Sequence, residues 1–136
     1  MCAGCGAVHA LGHQLSNRFG MPHGMAMSIM MPVILNFNAS ACPDRIAKIA
    51  VAMGEDVEGL GKTETAHKAA HAIRKLGKAA GLPTTLAEYG ADPELLTICA
   101  EFAAIAGDMP GNPITPTMEQ IQDLYKQAFE GNLGEV

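Results

Sequence analysis

Apolar residues in this 136-residue chain recur at the helical period and almost nowhere alternate, which restricts the fold to packed helices. They fall at Ile46, Ile49, Ala50 and Met53, and at Ala66, Ala69, Ala70, Ile73 and Leu76. They recur at Leu95, Leu96, Cys99, Phe102, Ala103 and Ala106, and at Met118, Ile121, Leu124, Tyr125 and Phe129. Each set follows the i, i+3, i+4, i+7 rule that turns one helical stripe toward a core. Boundary residues agree. Asp92-Pro93 puts an N-cap residue before a proline at the first helical position, and Thr117 with Gln120 forms a capping box. Gly54, Gly81 and Gly107 end the helices before them. Residues 1–18 read as a Gly/Ala-rich helix, 24–36 as a second one tolerating Pro32, and 107–116 as a loop. The prediction is an all-α domain of about six helices.

A chain of 14.2 kDa is one domain, long enough to bury roughly two-thirds of its unfolded surface without staples. Its composition is short of surface, with 49% hydrophobic but only 17% charged residues, against about 25% charged in an ordinary soluble domain. Association with another body is therefore expected. The net charge of −5 has no basic stripe to neutralise phosphates, which excludes a nucleic-acid role. The longest apolar run, Ile29 to Leu35, is broken by Pro32, whereas a bilayer span takes about 20 residues. No basic segment followed by an apolar core opens the chain, so a secretory signal is not expected. Four cysteines without an export signal read as reduced thiols and place the protein in the cytoplasm.

Three of five histidines, His9, His13 and His23, lie in the first 23 residues. On a helix His9 and His13 share a face about 6 Å apart along the axis. His23, between Pro22 and Gly24, opens the next helix after a short turn, so two helices meeting there would bring all three imidazoles together. Their Ala, Leu, Gly and Val neighbours make this face apolar, and buried imidazoles need partners. A divalent transition metal is the natural one. Spacing alone does not separate His13 from His9 in role.

Other motifs carry less. Cys2, Cys5, His9 and His13 imitate a zinc pattern, but on one continuous helix the ends would lie about 16 Å apart. The cysteines then read as small packing residues. Gly61-Lys62-Thr63 looks like the end of a phosphate loop, yet Asp56 stands where the first glycine is required. Glu64-x-x-His67 is half of a di-iron motif without a second half, leaving His67 and His71 on a polar helix face. Met21, Met25, Met27, Met30 and Met31 read as adaptable core.

The stretch Gly6-Ala7-Val8-His9-Ala10-Leu11-Gly12-His13, followed by Met21-Pro22-His23-Gly24, resembles the signature of the iron-containing alcohol dehydrogenase family. That signature is Gly-x-x-His-x-x-x-His with Pro-His-Gly ten residues on. Met31-Pro32-Val33-Ile34, Gly81-Leu82-Pro83-Thr84-Thr85-Leu86, and Asn112-Pro113 with Leu124-Tyr125 resemble further family segments. The likeness covers essentially the whole chain. It departs at Cys2-Ala3-Gly4-Cys5-Gly6, where the family has Asn-Ala-Gly-Leu-Gly, and at Ile114, where it has Arg.

The resemblance implies the helical C-terminal domain of a dehydroquinate synthase-like, iron-dependent alcohol dehydrogenase, spanning residues 1–136. It implies that His9 and His23 ligate the metal, Fe²⁺ with Zn²⁺ or Ni²⁺ as substitutes, and that His13 stands beside the nicotinamide and substrate. The implied reaction interconverts a small alcohol and its aldehyde or ketone with NAD or NADP. The family's N-terminal dinucleotide-binding domain, with a further Asp and His ligand, is absent from these residues. The chain is thus expected to be inactive alone, to close against that domain, and to belong to a homo-oligomer. Two alternatives remain: a free-standing helical metal-binding module, and a metal-independent relative of maleylacetate reductase.

Overall fold

A computed structural model describes residues 5–133, and every regular element among them is helical. Helix α1 (Ala7–Phe19) starts only after Gly6, whose φ of 75° breaks helical geometry, and ends at Gly20 in the left-handed conformation. The helix expected from residue 1 is therefore shorter. Cys5 is exposed outside it, and Cys2 lies outside the described residues. The zinc pattern thus has no continuous helix to sit on, and Cys5 is no packing residue.

Helix α2 (His23–Asn38) runs through Pro32 without ending, and Pro32 is itself buried in the core. Helix α3 (Pro43–Ala52) has proline at its first position. Helix α4 (Lys62–Ala79) is followed by the short α5 (Leu86–Tyr89), a 3₁₀ turn at Pro93–Leu95, and α6 (Leu96–Ala104). A second 3₁₀ turn at Met109–Gly111 leads to α7 (Met118–Glu130).

The caps follow the sequence. Thr117 accepts the Gln120 N–H and Gln120 accepts the Thr117 N–H. Asp92 accepts the Glu94 N–H, but it opens a 3₁₀ turn rather than α6 directly. Helix α6 stops three residues before Gly107, at Ala104.

Helix α2 is the centre of the molecule, packed against α1, α4 and α7, while α6 bridges α1 and α7. Its buried Ala26, Ile29, Met30, Val33 and Ile34 meet Leu11 and Leu15 of α1 and Ile121, Leu124 and Tyr125 of α7. A second cluster of Ala39, Ile46, Ala50, Ala66 and Ala69 joins α3 to α4. Met21, Met27 and Met30 are buried, as core methionines should be. Three positions of the periodic sets face solvent instead: Leu76 is 58% exposed, Phe102 48% and Met118 40%. Val51 and Ile105 are exposed as well. Among the described residues no helix is long and apolar enough to cross a membrane, and Cys5, Cys42 and Cys99 are free thiols.

Tyr125 shows how tightly the layers close. Its fully buried hydroxyl donates to the Leu11 carbonyl at 2.8 Å, joining α7 to α1. Burial pushes the phenol well above its ordinary range, with the Cys99 thiol adding to the effect.

Candidate metal centre

The turn between α1 and α2 is only Gly20-Met21-Pro22, so the two helices return on each other as a hairpin. Gly12 lies on the face of α1 that meets α2, beside the Met27 side chain. A methyl group there would meet the Met27 Cε at 2.1 Å, so the glycine leaves room for the end of the Met27 side chain as it lies in the present structure. His9 and His13 lie one turn apart on the same side of α1, flanking Gly12. His23 is the first residue of α2.

These three imidazoles converge. Ring centroids are 5.3 Å apart for His9 and His13, and 5.4 Å for each of them with His23. One nitrogen from each ring lies within 4.8 Å of the others, the one such grouping of histidine, cysteine or acidic donors among the described residues. The burial is graded: His9 and His13 are half-buried, while His23 is exposed at the rim.

His9 Nδ1 is shut off from solvent and has no hydrogen-bond partner. Leaving such an atom unsatisfied costs about 1–3 kcal/mol. A tetrahedral ion holding nitrogens at about 2.1 Å separates them by roughly 3.4 Å, so small side-chain rotations close this triangle. The donor set fits a divalent transition metal.

Two features of the surroundings carried no spacing signal in the sequence. Asp108, in the loop after α6, places Oδ2 3.3 Å from His13 Nδ1. Asn112 fastens the loop to both ends of the hairpin. It exchanges amide hydrogen bonds with Asn38 at 2.8 and 3.0 Å, accepts the Ala7 N–H, and donates to the Ile114 carbonyl. Asn112 was visible only as part of an Asn-Pro resemblance.

The remaining motifs resolve as structure. Lys62 pairs with Asp44 at 2.6 Å on the exposed surface. The Glu64 carboxylate accepts the Gly61 N–H at the start of α4, so it is a cap rather than a ligand. His67 is more than a polar-face residue. Its Nδ1 bonds the Asn36 side-chain oxygen across to α2, and burial, with a contribution from His71, lowers its pKa. Cavities of about 430 and 410 Å³ lie between α6 and α7 and between α2, α4 and α7. No residue of the imidazole triangle lines either one.

With that geometry in hand, the likenesses to known proteins are specific. The profile of the Fe-containing alcohol dehydrogenase family, C-terminal, matches residues 2–129. The 1,3-propanediol dehydrogenase of Citrobacter freundii is 35% identical over 127 residues, 93% of this chain and 33% of that protein. The NAD-dependent methanol dehydrogenase of Bacillus methanolicus is 33% identical over 126 residues, again 93% of this chain and 33% of its own. The crystal structure of a 1,3-propanediol oxidoreductase superposes with a TM-score of 0.86 at 35% identity, covering 91% of this chain and 32% of that one. The chain spans about a third of the length of the curated relatives it matches.

Proposed function

The chain belongs to the Fe-containing alcohol dehydrogenase family, as its C-terminal domain, and on that premise we propose that it is the metal- and substrate-binding part of an NAD(P)-dependent alcohol dehydrogenase. The reaction is the interconversion of a small alcohol with its aldehyde or ketone. The observation that carries this reading is the convergence of three imidazoles whose donor nitrogens lie within 4.8 Å of one another. When bound, a divalent ion (Fe²⁺, or Zn²⁺ or Ni²⁺ in its place) supplies Lewis-acid polarisation of the alcohol oxygen, and a nicotinamide supplies the hydride acceptor.

The chain's own residues divide the remaining work. His9 and His23 hold the metal, one from the protected side of the triangle and one from its rim. His13, whose ring is as close to each of theirs as those two are to one another, faces the reacting alcohol and the nicotinamide and hydrogen-bonds the hydroxyl. The packed hairpin fixes those directions, so little reorganisation is left to the reaction.

Two histidines are fewer than the three or four protein ligands of a stable catalytic site. The further ligands and most of the nucleotide contacts belong to an α/β domain that these 136 residues do not include. Exposed Phe102 and Ile105, at the end of α6 beside the Asp108 loop, offer apolar surface for that domain or for a second copy of the chain. Reduced thiols fit the cytoplasm as its compartment.

Calorimetric titration with Zn²⁺, Ni²⁺ or anaerobic Fe²⁺ tests the assignment. His9→Ala and His23→Ala should each weaken binding by at least the roughly 10- to 100-fold that loss of an outer-shell partner alone produces. His13→Ala should weaken it far less. Equal affinity in all four proteins would overturn the site. The 136 residues by themselves should oxidise no small alcohol with NAD⁺ or NADP⁺, and measurable turnover would refute the need for a second domain.

A further inference from the structure

Asp108 does two separable things. Its main-chain carbonyl accepts the N–H of Gly6 at 3.0 Å and of Gly111 at 3.1 Å, which ties the loop to the start of α1. Its carboxylate takes no part in that attachment and does not cap the 3₁₀ turn that follows. It lies instead 3.3 Å from His13 Nδ1. Among the described residues no other histidine comes within ion-pair distance of a carboxylate.

The pair is a poor stabilising device, because the two side chains are 40% and 33% exposed and such contacts contribute little. It is well placed as an orienting device. The hydrogen bond at one ring nitrogen decides which form the other nitrogen takes, and carboxylates backing imidazoles set both the tautomer and the ring direction. A separation of 3.3 Å is at the long edge for N–H···O, and contacts of this kind tighten when a ligand arrives.

We propose that Asp108 is a positioning residue that accepts the Nδ1–H of His13 and so leaves the His13 Nε2 lone pair as the acceptor for a substrate hydroxyl. This rests on the reading of His13 as the histidine that meets the alcohol. It narrows the substrate to one presented as a hydrogen-bond donor at that nitrogen. The carboxylate works through His13 and touches neither metal nor alcohol itself.

Nitrogen-15 NMR of the imidazoles in the metal-free 136-residue chain, recorded at about pH 8, reads the tautomer directly. The His13 signals are identified by their loss in His13→Gln. Wild-type His13 should be in the Nδ1–H form. Asp108→Asn, which keeps an acceptor oxygen, should preserve it. Asp108→Leu and Asp108→Ala should return His13 to the Nε2–H form that an unconstrained histidine prefers, with an otherwise unchanged amide spectrum. Wild-type His13 in the Nε2–H form, or the same tautomer in all four proteins, would overturn the proposal. Zn²⁺-induced shifts of His9 and His23 in Asp108→Leu, recorded in the same samples, report separately on the metal site.

Discussion

Asn38 and Asn112, 74 residues apart, exchange both halves of their side-chain amides, Asn112 donating at 2.8 Å and accepting at 3.0 Å. The exchange locks the C-terminal end of α2 to the loop that also carries Asp108. Asn38 is 6% exposed, so its amide has little access to water if the partner is lost.

Asn112→Ala should therefore cost more than Asn38→Ala. Asn112 also takes the Ala7 N–H and gives one to Ile114, whereas Asn38 makes only the exchange through its side chain. Buried groups left unpaired cost about 1–3 kcal/mol each. Urea titration of the two variants should rank them in that order, and equal losses would mean that the contacts to Ala7 and Ile114 contribute nothing.

Gly12 leaves room for the Met27 side chain, and the effect of its substitution should change sign with that neighbour. Gly12→Ala gains about 1 kcal/mol of helix propensity but drives a methyl into Met27, and overpacking of this kind costs about 1–3 kcal/mol. The single variant should be destabilised. In a Met27→Ala background the same change should stabilise, because the obstructing atoms are gone. A double-mutant cycle without that reversal would remove the Met27 contact as the reason for glycine.

His67 gives the stability curve a definite slope. Its pKa is lowered in the folded chain by burial and then by His71, below the ordinary 6.5 that holds when unfolded. The unfolded chain binds the extra proton first, so stability rises with pH in this window. The contribution is fully present above the unfolded value and fades as pH falls from about 6.5 through the folded one. His67→Gln should flatten urea midpoints between about pH 7 and pH 5 relative to wild type. An equally steep variant would place the titrating group elsewhere.

Tyr125 separates hydrogen bonding from packing. Tyr125→Phe removes the bond to Leu11 but keeps the ring, and should cost about 0.5–1.5 kcal/mol. Tyr125→Ala empties a fully buried position and should cost about 3–5 kcal/mol. Similar thermal unfolding for the two variants would show that the ring fills no essential space.

Helices with strong apolar periods were legible from the sequence because burial and period coincide in them, as in α7, where Ile121, Leu124 and Tyr125 are all buried. Capping at Thr117 was legible because the cap is local. The exposure of Leu76, Phe102 and Met118 was not, since a period marks a face without saying whether anything covers it. The meeting of His9, His13 and His23 followed from helix spacing and a short turn. Asp108, by contrast, reaches His13 from 95 positions away, as the residue numbers show. No local rule couples those positions; only the tertiary path of the loop does.

The three imidazoles belong to one hairpin, and that has a consequence for the order of assembly. From His9 to His23 the chain runs through 14 peptide bonds, whereas the Asn38–Asn112 lock closes a loop of 74 residues. Short loops lose less chain entropy on closing and form sooner. The donor triangle is thus expected to come together before the lock. Stopped-flow refolding that is no faster with Zn²⁺ present than without it would count against that order. If the order holds, the imidazoles are presented together while the rest of the chain is still unfolded, and any ion able to bind them would favour the hairpin from the outset of folding.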